Sequence, residues 1–483
     1  MYFSFLSLMI LFSLVGVFLV IIIPDKNKVL IKKSAFVCSV FTFVISLLLL
    51  LFFDSSSCKF QFVEWLELLI FFNFNLFIGV DGISIFFILL TTFLIPICLL
   101  VEWFSKKKNI KEYYVCFLLI NIFLIVVFSV LDILIFYIFF ESILIPMFLV
   151  IGIFGSKTRK IKAAYQFFLY TLLGSVLMLL SIFLIFFEAG STDFQILLSV
   201  KFSEKKQLLL WLAFFISFAI KIPMFPLHIW LPEAHVEAPT AGSVILAGVL
   251  LKMGAYGFVR FSLTFFPIAS VFFCPLIFVL SLLAVLYTSL TTLRQVDLKK
   301  IIAYSSVAHM GLVTIGIFSF NLYGLEGSFL MMISHGFVSS ALFLLVGMLY
   351  EKHHSRLIKY YGGIAQIMPL YTFFFLFFSV ANLGFPGTSS FCAEFLILLG
   401  AFQVNTFVAT FSSLGMVFSA AYCLWLSNRL LFGQLRVYYV SSYCDLQKKD
   451  FAILFPLSFF TLFLGVYPEI FLDYIHASIS NLI

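Results

Sequence analysis

Four ionisable side chains stand inside long apolar stretches, and their types suit the movement of protons. Glu141 lies in FYIFFESILIPMF, Lys221 in FFISFAIKIPMF, Lys252 in ILAGVLLKMGAYG and Glu394 in SSFCAEFLILLG. A charge near the centre of a bilayer costs roughly 2.5–3.5 kcal/mol, so such residues are expected only where they are used or paired. Two acids and two bases cancel in formal charge, which suits mutual compensation. Burial penalises the charged form of either type. At an effective dielectric of about 20, a pair 4 Å apart interacts by roughly 4 kcal/mol, about three pK units. A lysine and a carboxylate so placed form a one-proton switch. The plainer alternative is a set of static ion pairs that glue helices together. It weakens for the group as a whole, because Lys221 coincides with a helix break and Glu394 follows one.

His309 in AYSSVAHMGLV and His335 in LMMISHGFVSS lie in similar surroundings. In sequence order they fall between the two lysines and Glu394. Imidazoles suit proton relay near neutral pH; hydrogen-bonded packing is the alternative. His228 and His235 fall in the turn after the first break, where they would cap or brace it. His353, His354 and His476 receive no role.

These residues need a membrane around them. The chain of 483 residues is 63% hydrophobic and 11% charged, where a soluble domain has about 25% charged residues. Lipid must therefore be the solvent, and each spanning helix needs about 20 apolar residues. The apolar runs predict an all-α polytopic protein of about fourteen spans, over 1–23, 34–53, 79–103, 113–131, 133–154, 163–187, 207–231, 240–261, 267–292, 298–320, 324–350, 366–401, 404–432 and 451–476. The split at Asp132 rests on a very short loop. Met1–Ile23 reads as the first span and not as a leader peptide, because no basic segment precedes it and no small-residue cleavage site follows.

Most of the 29 Lys and Arg fall in loops after odd-numbered spans, among them Lys26, Lys28, Lys32, Lys33, Lys106, Lys107, Lys108, Lys157, Lys299, Lys300 and Arg356. Lys59, Lys201, Lys205, Lys206 and Arg260 follow even-numbered spans. The positive-inside rule puts the odd loops on the cytoplasmic or matrix side and both termini on the other. The net charge of +7 is explained by these loops and calls for no nucleic-acid partner.

The eight cysteines contain no C-x-x-C, which argues against a zinc or iron–sulfur site held by this chain and suggests buried small hydrophobes. Gly155-Ser156-Lys157-Thr158 lacks the spacing and the preceding strand of a phosphate-binding loop. No G-x-G-x-x-G follows a strand, so no nicotinamide or flavin site is expected. The 69 Phe suggest an AT-rich coding genome such as an organelle's.

Two spans are interrupted. The seventh carries Lys221-Ile222-Pro223 and Pro226; the twelfth carries Gly384-Phe385-Pro386-Gly387-Thr388. Proline frees backbone carbonyls, which lipid tolerates only where protein or a wet cavity satisfies them. The breaks are five helices apart, and matching broken helices mark inverted repeats in transporters. Four segments follow: 1–112 with three spans, a five-helix repeat over 113–262, an inverted second over 263–432, and 433–483 with a loop and the last span. Two ordinary proline kinks are the alternative.

HIWLPEAHVEAPTAGSVILAGVLLKMGAYGFVR (His228 to Arg260) closely resembles the antiporter-like subunits of respiratory complex I. DLKKIIAYSSVAHMG (Asp297 to Gly311), GVDGISIFFILLTTFLIPI (Gly79 to Ile97) and ANLGFPGTSSFCAEFLIL (Ala381 to Leu398) extend the resemblance over nearly the whole chain. It implies fourteen helices with two inverted repeats and a proton-translocating role. A glutamate and a lysine that pair in that family match Glu141 and Lys221. A midplane lysine matches Lys252, a hydrated axis matches His309 and His335, and an exit glutamate matches Glu394. Ala393 stands where the resemblance implies a glycine, so a methyl group there is expected to alter the packing beside Glu394. The resemblance also implies a mitochondrial inner membrane, neighbouring antiporter-like subunits as partners, and FMN, iron–sulfur clusters and ubiquinone held by other subunits, with no cofactor on this chain. A multisubunit cation/proton antiporter shares these motifs and is the alternative.

Overall fold

A computed structural model describes residues 5–69, 74–103, 109–156, 158–436 and 444–482. Lys106, Lys107, Lys108 and Lys157 of the basic loops lie outside them. Among the described residues, twelve helices are long and apolar enough to cross a membrane, from Phe5–Ile22 to Lys448–Val466. The two remaining expected spans are the interrupted ones. Glu204–Lys221 is followed by Trp230–Glu237, and Pro369–Asn382 by Ser389–Val404.

Helix starts follow from capping side chains, which satisfy the first orphan N–H groups. Asp81 accepts from the Ser84 amide at 3.0 Å while the Ser84 hydroxyl accepts from the Asp81 amide, a capping box that opens Gly82–Val101. Asp132 accepts from Leu134 and Ile135 at 2.8 and 3.0 Å. The short loop at Asp132 is therefore a true helix boundary.

The helices form an inner and an outer set. Thr240–Leu263 and Leu322–His353 are wholly buried over their apolar windows, whereas Phe5–Ile22, Lys160–Ala189 and Thr406–Leu431 are mostly exposed on their outer faces. Lys252 and His335 thus ride on the two most enclosed helices. The inner packing is close. A Cβ on Gly327 would meet the Ile397 amide and the Ala393 carbonyl, so Leu322–His353 and Ser389–Val404 touch backbone to backbone.

Several expectations need correction. Gln61–Leu69 and Phe74–Val80 form an antiparallel hairpin before the third span, with Trp65 stacked on Phe77 at 5.2 Å. The second helix begins at Lys28, so Lys32 and Lys33 are helical and not in a loop. The last span is two helices, Lys448–Val466 and Glu469–Ser480, separated at Pro468, which has no N–H to continue the ladder. Arg260 is not in a loop: it is buried, with its guanidinium 2.7 Å from Asp81. Of the cysteines, Cys58 and Cys444 are exposed and Cys392 is half-buried.

Candidate functional site

Glu141, Lys221 and Lys252 sit where the backbone departs from a regular α-helix, and Glu394 follows such a break, whereas His309 and His335 lie within the regular helices Leu298–Ile317 and Leu322–His353. Ile133–Ser142 and Leu144–Phe154 meet at Ile143, because Pro146 has no N–H for the Ser142 carbonyl. Glu141 lies at that kink. Ser175 of Lys160–Ala189 lies near its carboxyl, and its Oε1 has no partner among the described residues. Glu141 is only half-buried, although its Oε1 is covered.

The helix Glu204–Lys221 stops at the lysine. Carbonyls freed at the break are recovered locally. Ala219 O, which Pro223 cannot bond, accepts from Met224, and Ile220 O accepts from the Trp230 indole at 3.0 Å. The buried Lys221 ammonium donates to Phe140 O at 3.5 Å and lies 4.3 Å from the centre of the Phe140 ring. Phe140 precedes Glu141, so acid and base approach through this residue and not as a contact ion pair.

Lys252 sits in Leu251–Gly257, an α-helical turn held between the π-helical segments Leu246–Leu250 and Phe258–Leu263. Such π segments recur at functional sites because they redirect a side chain. The Lys252 ammonium donates to Ala247 O and meets His335 Nδ1 at 2.8 Å. The rings of His335 and His309 lie 5.7 Å apart. His309 Nδ1 is 3.5 Å from Glu394 Oε1. The spatial order is therefore Lys252, His335, His309, Glu394, with the histidines reversed from their order in sequence. All four side chains are buried.

Glu394 is seated against the break. Gly384 has φ +79°, and a Cβ there would lie 3.0 Å from the Glu394 carboxyl carbon. A side chain at this position is strained by its backbone and collides with the carboxylate. Gly384→Ala is expected to lower proton-coupled turnover several-fold with Glu394 untouched, measured on the assembled protein; unchanged turnover would mean that the seat of Glu394 is loose.

Sequence reasoning missed four features. His235, expected to brace the turn, is fully buried and stacked on Phe343 at 4.7 Å, and neither ring nitrogen has a partner among the described residues. Lys299, counted as a loop cation, donates to Ala238 O at 2.8 Å and to the Ser243 hydroxyl, which itself donates to His235 O. Lys299, Arg356 and Thr240 help line a cavity of about 640 Å³ on the side of the odd loops. His476 meets Glu326 at 2.7 Å. The Asp81–Arg260 pair is the fourth. Burial pushes the Asp81 carboxyl up, but the Arg260 charge and hydrogen bond together with Ser84 outweigh it and hold Asp81 below the usual carboxylate range. Only the acidic cap before the third span hinted at this pair.

Among the described residues, no group of three or more His, Cys, Asp or Glu could hold a metal ion. The arrangement can store and pass protons.

The family model described as NADH:quinone oxidoreductase/Mrp antiporter, TM, matches residues 130–419. NADH-ubiquinone oxidoreductase chain 4 of Chondrus crispus is 59% identical, covering 100% of this chain and 98% of its own. The protein of that name from Arabidopsis thaliana is 57% identical over 99% and 97%. NADH-quinone oxidoreductase subunit M of Rhodobacter capsulatus is 50% identical over 95% and 91%. In respiratory complex I from Thermus thermophilus with bound NADH, one chain superposes with a TM-score of 0.89 at 29% identity, covering 99% of each. A chain of the Mrp complex from Dietzia sp. gives 0.87 at 17% identity, covering 99% and 98%, a likeness of fold alone.

Proposed function

The chain belongs to the NADH:quinone oxidoreductase/Mrp antiporter family, and on that premise we propose that it is a proton-translocating subunit of the membrane arm of respiratory complex I, spanning the mitochondrial inner membrane many times. The observation that carries this reading is the buried series Lys252, His335, His309, Glu394, in which each group lies beside the next. Relatives at 50–59% identity over nearly the full chain are NADH:quinone or NADH-ubiquinone oxidoreductase subunits. That favours complex I over a multisubunit cation/proton antiporter. Co-purification with flavin and iron–sulfur subunits separates the two.

Quinone reduction in other subunits alters the charge of a neighbouring antiporter-like subunit. Glu141, only half-buried, is the group such a neighbour can address. A change there alters the hold of Glu141 on Lys221 across Phe140. Lys221 then gives its proton toward Lys252; Gly254 packs on Phe218 and Ile222, which places the two lysines on adjoining helices. His335 and His309 carry the proton on to Glu394, the exit residue. The cavity at Lys299 and the buried His235 offer uptake from the odd-loop side. Segments 113–262 and 263–432 act as inverted repeats, each supplying one broken helix, with 1–112 and 433–483 flanking them. FMN, iron–sulfur clusters and ubiquinone belong to other subunits. This chain's partners are those subunits, membrane lipid and protons, and no nucleic acid.

Glu141→Ala or Lys221→Ala in the assembled complex is expected to lower proton pumping and coupled NADH–quinone activity on the order of ten-fold, about 1.4 kcal/mol on the limiting barrier. Normal pumping with either change would overturn the mechanism and leave the subunit as a scaffold.

A further inference from the structure

The basic residues on the side of the even loops are few, and their placement is uneven. Arg260 is consumed by Asp81. Of the others, Lys201, Lys205 and Lys206 crowd into one short segment at the start of the helix Glu204–Lys221. That segment lies at the mouth of a groove.

The groove follows from helix packing. Lys160–Ala189 and Glu204–Lys221 touch at Gly174, where a Cβ would meet Ile220 and Ser217. Away from this contact, toward the even loops, they enclose a groove of about 590 Å³. Its walls are Leu184, Phe187, Leu209 and Leu210, and its mouth carries Glu188, Lys205 and Lys206. Phe187 is 81% exposed, and Leu184 and Leu209 are exposed beside it. The anions nearby have other work. Glu188 is paired with Lys206 at 2.9 Å, which ties the two helices together. Asp193 caps its own helix through the Gln195 and Ile196 amides. Glu204 lies in the first turn of its helix, where a negative charge suits the dipole. Lys205 has no ion-pair partner among the described residues.

We propose that this groove binds an anionic phospholipid of the even-loop leaflet, with one acyl chain along Leu184, Phe187 and Leu209 and the headgroup phosphate on Lys205. Charge complementarity selects this occupant. An acyl chain alone explains the apolar walls but not lysines gathered on the side where basic residues are otherwise scarce. A phosphate alone explains the lysines but not the apolar groove. A cation near an anionic membrane surface contributes about 1 kcal/mol, and a lysine stem lies along apolar surface while its ammonium reaches the headgroups. The site is independent of the proton path, although the lipid rests on the helix that ends at Lys221.

The test uses the assembled complex in phosphatidylcholine vesicles that carry a trace of photoactivatable phosphatidylglycerol or, separately, photoactivatable phosphatidylcholine. Labelling is read by mass spectrometry on peptides covering 180–212. The anionic probe is expected to label this region more than the zwitterionic one, and Lys205→Gln to cut that preference about five-fold, the worth of one surface cation. Lys59→Gln, an exposed even-side lysine elsewhere, should leave it intact. Equal labelling by the two probes, a preference that survives Lys205→Gln, or no lipid label because a neighbouring subunit fills the groove would overturn the proposal.

Discussion

Lys252→Met is expected to give a complex that assembles but pumps on the order of ten-fold less, about 1.4 kcal/mol on the barrier of the coupled step. Methionine is unbranched like lysine, one atom shorter, and carries no titratable proton. Lys252 is completely buried, so the exchange also removes the cost of hiding an ammonium from water. It leaves Ala247 O and His335 Nδ1 without their donor. Each unsatisfied group costs about 1–3 kcal/mol, which the removed desolvation penalty offsets in large part. Assembly should therefore persist while transport fails, and a native gel beside a pumping assay separates the two. Lys252→Arg sharpens the test. Arginine keeps the charge and the donors but does not deprotonate in proteins, its pKa lying above about 12. If position 252 must release a proton, arginine fails as methionine does. Pumping restored by arginine would assign Lys252 a purely electrostatic role and remove it from the path.

Much of this site was legible because lipid makes charge conspicuous. In a chain with so few charged residues, an ammonium or carboxylate in the middle of an apolar run is an energetic anomaly that composition alone exposes. The proline and glycine clusters at 223–226 and 384–387 marked the breaks for a similar reason. What stayed hidden depends on side-chain direction and on contacts between distant segments. The reversed order of His309 and His335 could not be read, since it depends on which face each helix turns to the other. Arg260 was misread because eight residues past Lys252, at the end of an apolar run, looks like the start of a loop. The π-helical segments around Lys252 fit more residues into each turn, so that more of the chain stays at depth and Arg260 is kept inside. The hairpin at Gln61–Val80 was missed although FNFNLF alternates polar and apolar residues with a period of two, the mark of a strand. A search for apolar runs long enough to span a membrane left that signal in the loop between the second and third spans. His476 and Glu326, 150 residues apart, left no trace in either local sequence.

Arg260 is also where the largest structural loss is expected. Its guanidinium meets Asp81 at 2.7 Å and the Tyr256 hydroxyl at 3.1 Å. The rings of Phe60, Phe194 and Tyr256 surround it at 5.1, 5.5 and 5.3 Å. The Tyr256 hydroxyl donates onward to Phe128 O at 3.2 Å. One side chain thus joins the end of the hairpin, the third span, the end of the fourth and the helix that carries Lys252. Asp81→Ala removes the only carboxylate bonded to this cation among the described residues and also takes away the cap of Gly82–Val101. Breaking a buried pair by deleting one partner costs about 3–5 kcal/mol, because the other charge stays buried alone. The single variant is expected to lose most of the assembled complex on a native gel. The double variant Asp81→Asn with Arg260→Met should recover a large part of it. No lone charge remains, asparagine still caps a helix, and a thioether packs well among aromatic rings. If the double variant is as poor as the single one, the guanidinium's hydrogen bonds to Asp81 and Tyr256, and not charge balance, hold this corner. If Asp81→Ala assembles normally, Arg260 finds its counter-charge elsewhere in the complex, and the hairpin end is held by its neighbours and not by this pair.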